Sequence, residues 1–331
     1  MRAVVVDEFG PFENAAIREV RDPVMGPGDL LIEVRATAAN FVDILLMGGR
    51  HQSRPELPFI PGKGPAGIVV SAGVDVMDFE PGDRVLGMCE PGGGFAELIA
   101  VPAAQCHKIP DSLSFADAAS MALVYDTAWF SLRERGRFQP GETVLVLGAS
   151  GGVGLAAVQL ARALGAKVLA GMANPAKFDL AREAGADAII DLGRENLHES
   201  LRDQVWAVTD GRGADIVIDP LGDDIFDAAI RALAWCGRLV VIGFAAGRIP
   251  TVRANYLLVR NIDVCGLQIG DYRKRRPDRT AACFRELFAL YETGKIGPLP
   301  TTTLPVEKFT DALAAIRDRT ARGRIVLLQH G

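Results

Sequence analysis

Metal-binding and disulfide signatures are what this 331-residue chain lacks most plainly. Its five cysteines, Cys89, Cys106, Cys236, Cys265 and Cys283, are far apart, odd in number and never spaced as C-x-x-C. That argues against a disulfide framework and against a four-cysteine zinc lobe. The four histidines, His51, His107, His198 and His330, are equally scattered and form no H-x-x-x-H or H-E-x-x-H pair, so no metal site is predicted. No apolar run approaches the roughly eighteen residues of a spanning helix. The opening stretch MRAVVVDEFG is too short in its apolar part for a secretory signal and alternates like a strand, so a cytoplasmic chain without a membrane partner is expected. Long like-charge blocks are missing as well, and the net charge is only −5, which leaves no footprint for nucleic acid. The one basic cluster, Arg273, Lys274, Arg275 and Arg276, runs straight into Pro277 and Asp278. It reads as a solvated helix entrance or, alternatively, as a seat for a phosphate-bearing substrate tail.

What is present is enough apolar material, 49% of residues, for two cores. Up to about residue 122 the pattern is short and β-rich, with MRAVVV, DLLIEVRATA, GIVVSAG, RVLGM and FAELIAVP separated by Gly/Pro turns, as in a small barrel. Between about 125 and 264, strands near 143–147, 167–171, 187–191, 214–219 and 238–242 alternate with helical segments near 151–164, 175–184, 195–208 and 222–233. Such alternation demands right-handed βαβ crossovers and a parallel sheet covered on both faces. Helices near 278–292 and 306–318 then precede a last apolar run, IVLLQ. The expected fold class is α/β, a β-barrel unit plus a doubly wound parallel sheet, with boundaries at 1–124, 125–264 and 265–331.

Within the middle stretch, TVLVLGASGGVG (143–154) passes from an apolar strand through glycines into the amphipathic segment LAAVQLARALG. Backbone N–H groups at such a turn are backed by the positive end of a helix dipole, a seat for a pyrophosphate. The turn reads A-x-G-x-x-G from Ala149, one position away from the dinucleotide fingerprint, in the strand-to-helix context that the fingerprint requires. About twenty residues on, a chain preferring the unphosphorylated dinucleotide places an acid. Here the second strand ends in Ala170-Gly171-Met172-Ala173-Asn174-Pro175 and Lys177 follows. An acid would repel a 2′-phosphate and a lysine attracts it, so NADP(H) is expected, with Asn174 and Lys177 at the phosphate. The plainer reading is a cap followed by an exposed helix charge.

The order and spacing of further motifs carry a resemblance. Asn40-Phe41-Val42-Asp43, Pro61-Gly62 with Ala66-Gly67, Gly82-Asp83-Arg84-Val85, Gly93-Gly94-Phe95-Ala96-Glu97, the glycine turn 148–154 and Arg322-Gly323-Arg324-Ile325-Val326-Leu327 together resemble the medium-chain dehydrogenase/reductase superfamily, in its zinc-independent quinone oxidoreductase branch. The resemblance covers nearly the whole chain. It implies a GroES-like catalytic domain built from both chain ends, a Rossmann domain inserted between them, an active site in the cleft, and a homodimer or homotetramer joined through the Rossmann sheet edge. Zinc-dependent members have a cysteine in place of Asn40 and a His-Glu pair in place of Lys63-Gly64. Without that Lewis acid, alcohol oxidation forgoes roughly 12 kcal/mol of help in removing the alcohol proton. A quinone or conjugated enone spreads the incoming charge over its own π-system and needs orientation, hydrogen bonds and a proton.

Carried over residue by residue, the resemblance implies that Gly151, Gly152 and Val153 cradle the pyrophosphate and that Thr127 lies near the nicotinamide. Gly243, Phe244, Leu267 and Gln268 would hold the ring and its carboxamide, and Arg319 would be a second arginine on the 2′-phosphate. Asn40 and Asp43 match the polar pair at the cleft, or alternatively pin a loop. His51 stands where relatives carry a tyrosine proposed as proton donor, and imidazole titrates near neutrality, so the catalytic set is Asn40, Asp43 and His51. Leu192 replaces a tyrosine that often helps to hold the 2′-phosphate. The expected reaction is hydride transfer from NADPH to a quinone or conjugated carbonyl. The alternatives are an enoyl-thioester reductase using the Arg273–Arg276 cluster, and a non-catalytic NADPH-binding structural or redox-sensing protein.

Overall fold

Along Asp29–Ala39 the even-numbered positions Leu30, Ile32, Val34, Ala36 and Ala38 are buried and the polar Glu33 and Arg35 point the other way. The period of two makes this strand the spine of the first unit. The computed structural model describes residues 1–90 and 92–329, and the chain divides into one unit of Met1–Leu123, Gly270–Glu292 and Pro298–Gly331 and another of Val124–Ile269 and Thr293–Gly297. In the first, a seven-stranded sheet runs in the order Thr301–Pro305, Arg324–Leu328, Asp29–Ala39, Ala66–Ala72, Arg84–Gly87 and Cys106–Lys108, with Leu98–Pro102 also paired to the spine. Its central strands therefore come from both ends of the sequence, Arg324–Leu328 lying antiparallel to Ala36–Ala39. Two helices that strand periodicity does not reveal, Phe41–Met47 and Phe115–Met121, complete this unit's N-terminal part.

In the second unit six parallel strands lie in the order Ala188–Asp191, Lys167–Met172, Thr143–Leu147, Ala214–Asp219, Leu233–Val241 and Asp263–Gly266. This is the doubly wound arrangement, with its switch point between the strands starting at Thr143 and Ala214. Two segments differ from the sequence reading. The helical stretch expected to reach 233 stops at Ala229, tightens over Ile230–Ala232 and becomes strand at Leu233. Leu233 pairs with Ala214, and a bulge at the left-handed Cys236 restores register further on. The return to the first unit comes at Gly270 rather than at 265, because Asp263–Gly266 is hydrogen-bonded to Leu233–Val241 and a cut at 265 would divide that strand. No helix among the described residues is long and apolar enough to cross a membrane.

Candidate functional site

The first Rossmann strand is buried at all five positions and ends at Leu147. Gly148 then takes φ +62°, and the helix Gly152–Ala163 starts from Gly151. A Cβ on Gly154 would lie 2.3 Å from the Gly148 carbonyl oxygen and 2.7 Å from Ala149 Cα, so glycine is what lets the helix close onto the turn. At Gly151 the nearest neighbour of such a Cβ is 3.4 Å away, which leaves the approach open. First-turn amides, those of Gly152 and Val153, have no acceptor within the helix. A shallow cradle of N–H groups at a dipole's positive end fits a diphosphate.

The C-terminal ends of neighbouring parallel strands lead into the segments that carry Asn174, Gly243, Phe244, Leu267 and Gln268. At the end of the fourth strand, Asp219 is buried, and its Oδ1 accepts N–H bonds from Leu221 (2.8 Å) and Gly222 (3.0 Å). Burial raises its carboxyl above the usual range, against the pull of those two amides. The turn so formed carries the next loop, because Ala245 and Ala246 donate to the Pro220 and Leu221 carbonyls. Arg248 clasps the same loop to Asp224 at 2.9 Å and Asp227 at 2.5 Å. Gly243 and the partly exposed Phe244 sit in this strapped loop, while Leu267 is buried and bonded to the Val241 carbonyl, with Gln268 exposed beside it. Thr127 is buried on the helix Val124–Phe130, its N–H bonded to Asp126 Oδ1 and its carbonyl to the Ser131 hydroxyl at 2.7 Å, where the helix widens into a π turn over Ser131–Arg135.

At the end of the second strand, Asn174 Oδ1 accepts from Ala176 N–H at 3.0 Å and caps the short turn Pro175–Lys177, on which Lys177 is half-buried. Leu192 is core, and the backbone of Gly193 abuts the Ala173 carbonyl, which brings the exposed Arg194 to this corner. Sequence reasoning passed over Arg194 because it lies two positions beyond the tyrosine site. Arg319 belongs to the first unit, at φ +58° on the turn after Phe309–Arg317.

The first unit holds a buried polar network that was only partly foreseen. Asn40 ends the spine strand and starts the helix Phe41–Met47. Its amide nitrogen donates to the Ala38 carbonyl, and its Oδ1 accepts from Arg324 Nη2, both at 2.8 Å. Arg324 also donates to the Ser120 carbonyl at 3.1 Å. Asp43 accepts from the N–H of Asn40 at 2.8 Å and of Gly62 at 3.2 Å, one per carboxylate oxygen. Burial pushes the Asp43 carboxyl up to about 6, with the Asn40 amide, Lys63, the Gly62 amide and Arg324 pulling it down. Burial likewise brings Arg324 down to about 10, opposed by Asp43.

Next to Gly62, the Lys63 ammonium contacts Glu90, whose other oxygen accepts from Arg273 at 2.7 Å. Lys63 is 4% and Arg273 1% exposed. Burial alone would raise Glu90, yet the two cations outweigh it and hold the carboxyl below its ordinary range. Arg273 is thus an interior residue and not part of a solvated helix entrance or a substrate-phosphate seat, because Glu90 supplies its counter-charge inside the fold. Arg276 pairs with Asp278 at 2.8 Å. His51 lies half-exposed on the loop beyond the helix, its Nδ1 3.1 Å from the Ser53 backbone, outside the Asn40–Asp43 network. Tyr125 is buried, its hydroxyl 2.6 Å from Gln159 Oε1 and 2.8 Å from the Gly297 carbonyl.

Residues 26–111 match the family described as alcohol dehydrogenase GroES-like domain, and residues 152–286 match that described as zinc-binding dehydrogenase. Over 98% of its length the chain is 39% identical to a quinone oxidoreductase-like protein 2 homolog of Nematostella vectensis, covering 85% of that protein. The Escherichia coli quinone oxidoreductase complexed with NADPH superposes with a TM-score of 0.90 at 26% identity, over 99% of this chain and 100% of that one. A mycobacterial protein complexed with NADPH gives 0.91 at 30% identity, over 99% and 100%.

The zinc in one family description does not fit the residues present. Among the described residues no three His, Cys, Asp or Glu side chains come together, and His330 lies outside them. Asn40 is committed to Arg324 and Lys63 to Glu90, so a divalent ion would face guanidinium and ammonium where it needs thiolate, imidazole or carboxylate.

Proposed function

The chain belongs to the medium-chain dehydrogenase/reductase superfamily, in its quinone oxidoreductase-like branch, and on that premise we propose an NADPH-dependent reductase acting on a quinone or a conjugated enone without zinc. The observation that carries this reading is the replacement of a metal-ligand set by buried side chains committed to one another, Asn40 hydrogen-bonded to Arg324 and Lys63 ion-paired with Glu90. An acceptor that delocalises its own incoming charge suits such a site better than an alcohol does.

NADPH, when bound, supplies the hydride. The amides of Gly151, Gly152 and Val153 hold its diphosphate, and Lys177, with Arg194, counters the 2′-phosphate. Asn174 shapes the turn that presents Lys177. The strapped loop bearing Gly243 and Phe244, together with Leu267, Gln268 and Thr127, orients the ring. Asn40 and Asp43 form the polar floor for the acceptor, and His51 or water delivers the proton. A homodimer or homotetramer belongs to the same proposal, supported by the outermost strand Asp263–Gly266 and by Leu258 and Val259, 79% and 74% exposed on the preceding helix.

Burial takes Arg273 out of the basic cluster that favoured a phosphate-bearing thioester carrier, leaving Lys274, Arg275 and Arg276 exposed. Following NADPH absorbance with quinones, enones and enoyl-CoA esters tests the proposal. Turnover with the first two groups is expected. Tight NADPH binding with no turnover on any acceptor would favour a non-catalytic binding protein, and turnover confined to the esters would favour the enoyl-thioester reading.

A further inference from the structure

Five ionisable groups meet inside the first unit, the cations Lys63, Arg273 and Arg324 and the carboxylates Asp43 and Glu90. Asp43 is the one whose state decides the geometry. Each of its oxygens accepts a backbone N–H, from Asn40 and from Gly62. A proton on either oxygen leaves acceptor capacity but removes the charge that strengthens both bonds, so the hold on the two N–H groups weakens. The Asn40 bond pins the residue at which the spine strand becomes a helix, and the Gly62 bond pins the loop that carries Lys63.

Three kinds of group face this carboxyl: the two amides, Lys63 from the loop beside it, and Arg324 from the strand Arg324–Leu328. Arg324 aims Nη2 at Asn40 Oδ1 and Nε at the Ser120 carbonyl. Lys63 is anchored from behind, because Glu90 binds it and is itself held by Arg273. The neighbouring His107 stays neutral, packed on Phe284 with ring centroids 4.3 Å apart. Three cations set against Glu90 alone leave a surplus of two positive charges, and ionisation of Asp43 reduces it to one.

We propose that Lys63 is a positioning residue for this site: its buried ammonium, held by Glu90 and through it by Arg273, keeps Asp43 ionised and thereby keeps Asn40 locked at the end of its strand. The link to turnover rests on the reductase reading above, whereas the link to Asp43 does not. Removing the ammonium raises the pH at which Asp43 takes up its proton, and removing the Glu90 charge lowers it, because Lys63 and Arg273 then act uncompensated. A neighbouring opposite charge moves a carboxyl by about one to three pH units.

The test is a carbon-13 titration of aspartate-labelled intact protein, with D43N identifying the Asp43 signal, run alongside the pH profile of kcat/KM for NADPH-dependent quinone reduction. K63M is expected to raise the Asp43 midpoint by about one unit or more, K63R to restore it, and E90Q to move it the other way, with the acid limb of kcat/KM following each midpoint. A merely structural lysine would lower thermal stability and leave the midpoint in place. An unmoved midpoint, or shifts of the same sign in K63M and E90Q, overturns the proposal. Should either single variant fail to fold, the double variant K63M/E90Q, which removes the pair as a whole, is expected to keep the midpoint higher than in E90Q or lower than in K63M, and no difference from the folded single variant overturns it equally. A protein that reduces no acceptor while its midpoints move as stated refutes the reductase reading and leaves the charge coupling standing.

Discussion

Arg324 donates a 2.8 Å hydrogen bond to Asn40 Oδ1 across 284 positions of sequence. Arg324 begins a strand antiparallel to the spine, with Ile325 paired to Ala39, and Asn40 follows the spine's last residue, so this bond joins that strand to the residue that starts the helix Phe41–Met47. Replacing Arg324 by methionine leaves Asn40 Oδ1 and the Ser120 carbonyl buried without this donor and removes a cation from beside Asp43. The expected loss is about 3 kcal/mol of unfolding free energy, read from urea denaturation. R324K, which keeps the charge but not the fork, is expected to recover only part of it.

A second prediction concerns acid. His107 is buried against Phe284, with Nε2 lacking a partner, and burial, followed by the charge of Arg273, pushes its imidazole down to about 3 from an ordinary 6.5. The unfolded chain binds a proton below pH about 6.5 while the folded chain does not, so this contribution is complete above that pH and is lost as pH falls toward 3. Between pH 7 and pH 5 the loss is about 2 kcal/mol. H107F, which keeps a ring on Phe284, should flatten that slope. Asp43 acts with the opposite sign: its raised carboxyl favours the fold below about 3.8 and that contribution disappears as pH rises through about 6. Being common to both proteins, it cancels in the difference between wild type and H107F at each pH.

Legibility followed the range of the interaction. The glycine turn was readable because its requirements are met within twelve consecutive residues, a strand, a left-handed glycine and a helix start, each with a local signature. The strand from Thr143 to Leu147 begins and ends where the apolar run does. By contrast, the partners of Glu90 are 27 and 183 residues away, and nothing in the composition around Arg273 distinguishes an interior guanidinium from the surface charges beside it. The short helices Phe41–Met47 and Phe115–Met121 escaped for a related reason: seven residues are too few to display a helical period. Lys63 did carry a signal, a lysine between two glycines both held at positive φ, though only the fold shows it to be buried.

Gly154 provides a test of the cradle that does not depend on any substrate. Its Cβ would overlap the Gly148 carbonyl and the Ala149 backbone, and backbone atoms cannot turn aside as a side chain can. G154A is expected to lower stability by about 1–3 kcal/mol and to weaken NADPH and NADH binding together, since both share the diphosphate. G151A, with only a 3.4 Å neighbour, should fold normally and affect binding alone. Thermal shift with and without dinucleotide separates the two variants.

In the proposed function, cofactor preference turns on Asn174, Lys177 and Arg194. No acid follows the strand Lys167–Met172 in the segment Ala173–Lys177, so nothing in that segment repels a 2′-phosphate, and Lys177 brings a cation to a turn that Asn174 holds in shape. Charge-assisted contacts of this kind are worth about 1.5–3 kcal/mol. Lys177→Ala should therefore raise the Kd for NADPH by about tenfold to a hundredfold and leave that for NADH nearly unchanged, as measured by calorimetric titration at fixed ionic strength. Raising the salt concentration should weaken NADPH more than NADH in the wild type and narrow the gap. Equal losses for both dinucleotides in Lys177→Ala would mean that the lysine supports the turn and that the phosphate is read elsewhere, with R194A the next variant to measure.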